Sequence, residues 1–142
     1  NVMVGALART RSLRVAREIA HEQLHVVRLD HKDDHLAGGL PIGERKKLEV
    51  ARVLATKPEL LLLDEVMGGL NPSESEEIIQ LILDLKRRGL TQMVIEHDMK
   101  AIMRISDRIV VLNSGEKLAE GGPREIADNP DVIAAYLGER VE

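Results

Sequence analysis

Two adjacent carboxylates, Asp64 and Glu65, follow directly after four consecutive leucines, Leu60–Leu63. A leucine run without polar alternation is typical of a parallel strand that is buried on both faces. Open α/β sheets bind their ligands at the carboxyl ends of the strands, which is where the two acids are predicted to lie. One carboxylate could hold Mg²⁺ through water, and its neighbour could polarise a water molecule beside a phosphate. From this segment alone, a buried strand ending in two solvated acids is an equally good interpretation.

Two further segments carry groups that could act on a phosphate. The turn Leu40–Glu44 contains a glycine and opens a basic helix, and backbone amides at such a turn can approach an anion closely. His97 follows a strand predicted at residues 93–96. The simpler interpretations are a turn that only starts a helix and a histidine that is only polar surface.

Four other histidines stand in pairs at i, i+4 spacing, His21 with His25 and His31 with His35. Helical pairs of this kind can bind Zn²⁺. The surrounding sequence is rich in charges, however, and charged surface helices are common. We therefore expect a solvated helix surface in preference to a zinc site.

The composition limits which classes of protein are possible. The 142 residues are 44% apolar but only 1% aromatic, so the core must be aliphatic and stacking surfaces for single-stranded nucleic acid are not expected. The net charge of −4 gives no general attraction to nucleic acid. The absence of cysteine excludes disulfides and thiolate metal sites.

Local signals predict the elements that position these groups. Asn71 is the expected N-cap of a helix that begins at Pro72 and stops at Gly89, with Glu74 completing a capping box. Strands alternate with helices after residue 60, which is the pattern of a parallel sheet. The other predicted elements are helices at 12–29 (capped by Ser12) and 44–56, strands at 109–112 and 117–119 joined by a hairpin, and short helices from Pro123 and Pro130.

In this order, the segments closely resemble the nucleotide-binding subunit of an ATP-binding cassette (ABC) transporter. Leu40-Pro41-Ile42-Gly43-Glu44 occupies the place of the family's signature motif, usually Leu-Ser-Gly-Gly-Gln, and is called the signature turn below. Leu60–Glu65 matches the Walker B strand with its catalytic glutamate, Gly69–Asn71 the D-loop, and His97 the switch histidine. The tail Gly122–Gly138 looks like the end of the branched-chain amino acid subfamily.

The resemblance implies an α/β fold, a P-loop NTPase-like core in which a parallel sheet has helices on both faces. Residues 1–43 would be part of the helical subdomain, 44–121 the RecA-like core, and 122–142 a helical tail of the branched-chain type.

The resemblance also implies a role for each site residue. Asp64 would orient Mg²⁺, Glu65 would polarise the attacking water, and His97 would hydrogen-bond the γ-phosphate. Contacts to ATP held by a second cassette would come from the signature turn and the D-loop, namely from Leu40, Pro41, Ile42, Gly43, Glu44, Leu70 and Asn71.

The implied partners are a second, identical or paralogous cassette, membrane permease subunits and, indirectly, a substrate-binding protein, with no nucleic acid. The implied location is the cytoplasmic face of the cell membrane. Two alternatives stay open: an ABC ATPase that does not serve transport, and a non-catalytic fragment that pairs with an intact cassette.

The sequence departs from the family pattern in the signature turn and in the phosphate-binding loop. Pro41 removes a hydroxyl and an amide donor, and Glu44 brings a negative charge near a triphosphate unless Arg45, Lys46 or Lys47 screens it. More importantly, no Gly-x-x-x-x-Gly-Lys-Ser/Thr motif occurs, so the phosphate-binding loop (Walker A) is missing. We expect an incomplete domain that alone neither binds ATP tightly nor hydrolyses it.

Overall fold

The computed structural model describes residues 1–137 and divides into two compact units, with the boundary between Glu96 and His97. The first unit contains four α-helices, two 3₁₀ turns and two strands. They are α1 Val2–Ala6, α2 Leu13–Val26, the turns Asp30–Lys32 and Ala37–Gly39, α3 Ile42–Leu54, β1 Leu60–Asp64, α4 Pro72–Arg87 and β2 Thr91–Ile95.

The helices of the first unit begin where the sequence has capping residues. The Ser12 side chain accepts a hydrogen bond from Val15 N at 3.4 Å, which confirms the predicted start of α2. In α4 the capping box is present, and Gly89 follows the helix with a left-handed φ of 84°. The predicted buried face of α4 is confirmed: Ile78, Ile79, Leu81, Ile82 and Leu85. Helix α1 was not predicted.

Strands β1 and β2 pair in parallel, in the register Leu60 with Thr91 through Asp64 with Ile95. Leu61 and Leu63 are buried, and Gln92 Nε2 donates a hydrogen bond to the Ile82 carbonyl of α4 at 2.9 Å. Since in-register residues point to the same side, α4 covers this face of the sheet.

The expectation that the leucine strand is buried on both faces is wrong for the described residues. Leu60 and Leu62 are 50% and 65% exposed, and their neighbours Met93 and Ile95 are 56% and 53% exposed. An unbroken leucine run shows that a strand can be buried on two sides, but the burial itself requires elements that cover both. Within residues 1–137 the outer face of this two-stranded sheet remains open.

The second unit contains a helix, a hairpin and two further helices. They are α5 Met99–Ile105, β3 Ile109–Asn113, β4 Glu116–Gly121, α6 Pro123–Ala127 and α7 Pro130–Leu137. The strands are antiparallel, and the turn between them places Ser114 and Gly115 at φ values of 50° and 83°. Two positive φ angles are typical of a type I′ turn, which confirms the predicted hairpin. The short helices predicted from Pro123 and Pro130 are also confirmed.

The α/β class with a parallel strand pair is confirmed, whereas the three predicted segments 1–43, 44–121 and 122–142 stay a prediction. Residues 138–142 of the predicted tail lie outside the described residues. No helix within residues 1–137 is long and apolar enough to cross a membrane.

Candidate functional site

The two acids lie at the carboxyl end of β1, as the sequence predicts. Asp64 is the last residue of the strand, is exposed, and shares the open face with Leu60 and Leu62. Glu65 follows with a left-handed φ of 45°, and its side chain is also exposed. Its backbone is fixed on both sides, because Glu65 N donates to the Ile95 carbonyl at 2.9 Å and Gly68 N donates to the Glu65 carbonyl at 3.1 Å.

Two side chains hold the loop that follows the acids. Lys46 of α3 donates from Nζ to the Glu65 carbonyl at 3.3 Å. Glu96, just after β2, accepts from Met67 N at 2.8 Å. Sequence reasoning placed Glu96 only as the end of a strand. An acid at the carboxyl end of a strand adjacent to β1 is the signal that could have identified it as an anchor for this loop.

The signature turn leads directly into the first turn of α3. Pro41 is the N-cap and offers no side-chain acceptor, while its carbonyl accepts from Arg45 N at 2.9 Å. The helix therefore begins with Ile42, Gly43 and Glu44, whose amides form the positive end of the helix dipole. Leu40 is half-buried and Pro41 is exposed. An anion could approach this end because no side chain caps it.

The signature turn packs against the D-loop and the start of α4. A methyl group placed on Gly43 would lie 2.9 Å from Glu74 Oε1, and one placed on Gly69 would lie 3.4 Å from Ile42 Cδ1. Gly43 is buried. A larger residue than glycine at position 43 would therefore displace Glu74.

Asn71 acts as the N-cap of α4, as predicted. Its Oδ1 accepts from Ser73 N at 2.9 Å and Glu74 N at 3.0 Å, and Glu74 Oε2 accepts from Asn71 N at 3.0 Å. Leu70, half-buried, precedes it, and Leu70 N donates to the Met67 carbonyl at 3.2 Å. Their roles as nucleotide contacts stay a prediction.

The Glu44 carboxylate pairs with a lysine that precedes it in the chain. Lys32 Nζ lies 2.5 Å from Glu44 Oε1, whereas Lys46 bonds the Glu65 carbonyl and Lys47 pairs with Glu77. The cation thus comes from the preceding 3₁₀ turn Asp30–Lys32. Sequence reasoning missed Lys32, and no local pattern marks it.

His97 is the first residue of the second unit, and its grouping with Glu65 stays a prediction. Its side chain is exposed, and its carbonyl accepts from Tyr136 Oη at 2.5 Å. Asp98 then caps α5, accepting from Lys100 N at 2.9 Å and Ala101 N at 3.3 Å.

The histidine pairs near residues 21–35 contact carboxylates. His21 Nδ1 lies 3.6 Å from Asp33 Oδ2, and His25 Nδ1 lies 3.8 Å from Asp30 Oδ1. Among residues 1–137, no group of three or more His, Cys, Asp or Glu side chains is arranged to hold a metal ion.

A cavity of about 230 Å³ adjoins Asp64 between α3 and β1, with Lys46, Val50 and Leu61 among the residues that line it. Pockets that enclose drug-sized ligands usually measure about 300–1,000 Å³. The residues around this cavity thus do not enclose a ligand of that size.

Two family models match the chain. Residues 6–68 match the model described as ABC transporter, and residues 116–142 match the model described as branched-chain amino acid ATP-binding cassette transporter.

Curated relatives are similar over most of this chain. It is 48% identical over 130 residues to the high-affinity branched-chain amino acid transport ATP-binding protein BraF of Pseudomonas aeruginosa, covering 91% of this chain and 51% of BraF. It is 53% identical over 104 residues to the corresponding protein LivG of Salmonella typhimurium, covering 72% of this chain and 41% of LivG. The chain thus spans about half the length of the curated relatives it matches.

Solved structures show the same likeness in three dimensions. A nucleotide-free ATP-binding cassette from an ABC transporter is 32% identical with a TM-score of 0.80, over 91% of this chain and 52% of the other. An ATP-binding cassette in its ADP conformation is 29% identical with a TM-score of 0.79, over 94% and 55%.

Proposed function

The chain belongs to the ABC transporter family of ATP-binding proteins, and on that premise we propose that it is part of the ATP-hydrolysing subunit of an importer for branched-chain amino acids. The names of BraF and LivG support the substrate class, as does the match of residues 116–142 to the branched-chain model.

The observation that carries the proposal is the set of contacts among three segments. Ile42 approaches Gly69, Gly43 approaches Glu74, and Lys46 bonds the Glu65 carbonyl. These contacts fix the signature turn, the D-loop and the acidic end of β1 in one arrangement. A shift of one segment would therefore move the other two, as expected where the acids that act on one nucleotide must respond to a signature turn that contacts the nucleotide of a second cassette.

The side chains at the end of β1 fit the chemistry of Mg²⁺ and ATP. Mg²⁺ keeps several waters and is usually held by one or two carboxylates plus substrate phosphates, so the single exposed Asp64 is a sufficient protein ligand. When bound, the metal would offset the charge of the phosphates. Glu65, next in sequence and exposed, would accept a proton from the attacking water.

Other site residues would bind phosphate without taking part in proton transfer. The amides of Ile42 and Gly43 at the start of α3 would face the γ-phosphate of ATP held by a second cassette. His97 would donate a hydrogen bond to the γ-phosphate, and Leu70 and Asn71 would contact the second cassette. The lysine of a phosphate-binding loop would come from outside this chain.

We further propose that the complete subunit pairs with a second cassette and docks on permease subunits at the cytoplasmic face of the membrane. A substrate-binding protein would act indirectly, through the permease. The names of the relatives, which are transport ATP-binding proteins, support this arrangement.

The test uses the complete subunit, in which a phosphate-binding loop is expected to precede this chain. The variant Glu65→Gln keeps the size of the side chain but removes its basicity. We expect phosphate release to fall at least about 100-fold, the usual contribution of a general base, while ATP still binds in equilibrium dialysis. The matched control is Glu59→Gln, which changes another exposed acid just before β1 and is expected to leave both quantities unchanged.

Each outcome has a distinct meaning. Hydrolysis retained in Glu65→Gln would refute the role of Glu65. A complete subunit without a phosphate-binding loop, or without ATPase activity, would contradict the proposed function as a whole.

A further inference from the structure

Lys32 and Glu44 form an ion pair at the start of the signature helix α3. Lys32 Nζ lies 2.5 Å from Glu44 Oε1 and 2.6 Å from Oε2, so the ammonium bridges both carboxylate oxygens. Each side chain is only 24% exposed. A half-buried pair of this geometry is less screened by water and salt than the exposed pairs elsewhere in the chain.

Pro41 explains why the Glu44 carboxylate turns towards Lys32. In α4, Glu74 is the third helical residue and accepts from the N–H of the N-cap Asn71. Glu44 occupies the same position in α3, but its N-cap is proline, which has no N–H to donate. The reciprocal capping bond cannot form, and the carboxylate takes the nearest cation in its place.

We propose that Lys32 is a positioning residue for nucleotide binding by the signature turn. It holds the first turn of α3 against the 3₁₀ turn Asp30–Lys32 and cancels the charge of Glu44. The inference rests on the proposed function, in which the amides of Ile42 and Gly43 face a γ-phosphate. An unpaired carboxylate one residue beyond Gly43 would repel that phosphate and weaken the attraction of the helix dipole.

Two of the three cations that follow Glu44 have other partners. Lys46 donates to the Glu65 carbonyl, and Lys47 pairs with Glu77 of α4. Loss of Lys32 would therefore leave Glu44 without the bidentate partner that it has in the structure.

The test measures the ATPase kinetics of the complete subunit. Lys32→Met keeps the aliphatic stem and removes the charge. We expect the KM for ATP to rise about three- to tenfold with kcat changed much less, in the lower part of the roughly 2- to 150-fold range by which contacts within one ion-pair network couple. In the Glu44→Gln background, the further change Lys32→Met is expected to have no effect. The matched control is Lys57→Met, which removes another lysine charge of the first unit at an exposed position.

The double variant separates positioning from general structural damage. If Lys32→Met raises the KM equally in both backgrounds, Lys32 does not act through Glu44 and the inference is overturned. An unchanged KM in Lys32→Met overturns it as well, even when the parent is active. A parent without ATPase activity would instead count against the proposed function, and the role of Lys32 would be refuted with it.

Discussion

Adjacent leucines of β1 should differ strongly in their contribution to stability. Leu61 is 1% exposed and Leu62 is 65% exposed. Replacing a fully buried leucine with alanine removes its transfer free energy and leaves a cavity, so Leu61→Ala should lower the free energy of unfolding by about 3 kcal/mol. Leu62 buries about a third of its surface on an open face and leaves no cavity. With full burial worth about 1.5–3 kcal/mol, Leu62→Ala should cost about 0.5–1 kcal/mol.

Urea unfolding of the chain measures this difference. The chain contains no Trp and a single Tyr, so far-ultraviolet circular dichroism is a better probe than intrinsic fluorescence. With a urea m-value of about 2 kcal/mol/M, the midpoint should fall by about 1.5 M in Leu61→Ala and by about 0.3–0.5 M in Leu62→Ala. Equal m-values for the parent and both variants would show that the compared transitions expose similar surface.

Equal midpoint shifts in the two variants would refute the assignment of an open outer face. The measurement should be repeated at a tenfold higher protein concentration, because self-association through the leucines would bury Leu62. If the loss of stability depends on protein concentration in Leu62→Ala alone, self-association through the leucines is the cause.

Two further predictions concern the ends of elements. Asn71→Ala removes the acceptor for Ser73 N and Glu74 N and should lower the free energy of unfolding in urea by about 1 kcal/mol. Asn71→Asp should retain most of the stability, because its carboxylate can still cap α4. Equal losses in the two variants would contradict the capping role. Gly115→Ala places a Cβ at φ 83° in open space, so its cost of about 1 kcal/mol should come from the backbone alone. The cost should appear as faster amide hydrogen exchange in β3 and β4, and Gly115→Asn should be less affected. Unchanged exchange in Gly115→Ala would argue against the positive φ.

Features set by local chemistry were predictable from the sequence. Helix α4 is the clearest case, because its cap, its first-turn proline, its terminal glycine and its apolar stripe all act within a few residues of one another. The hairpin at Ser114-Gly115 is similar, since two positive φ angles depend on the turn residues themselves. The position of Asp64 and Glu65 followed from the length of the leucine run.

Features that depend on distant segments were not predictable in this way. The leucine run does not predict which elements cover Leu60 and Leu62, because the burial of a strand depends on the elements that pack against it. The Lys32–Glu44 ion pair depends on the path of the chain between the two residues, so the residues next to Glu44 could not predict it. The short α1 lacks a side-chain cap, which explains why no local signal marked it.

The backbone at Glu65 sets a conformational cost at the proposed proton acceptor. An L-residue in the left-handed region costs about 1–2 kcal/mol, a cost that glycine avoids. At φ 45° the proposed proton acceptor therefore occupies a backbone conformation in which glycine would have a lower conformational energy. Glycine at position 65 would therefore lower the conformational strain but remove the carboxylate on which the proposed hydrolysis depends. Libraries of variants selected only for thermal stability should consequently accumulate glycine at this position. Such variants should have a higher free energy of unfolding and lack the proposed proton acceptor.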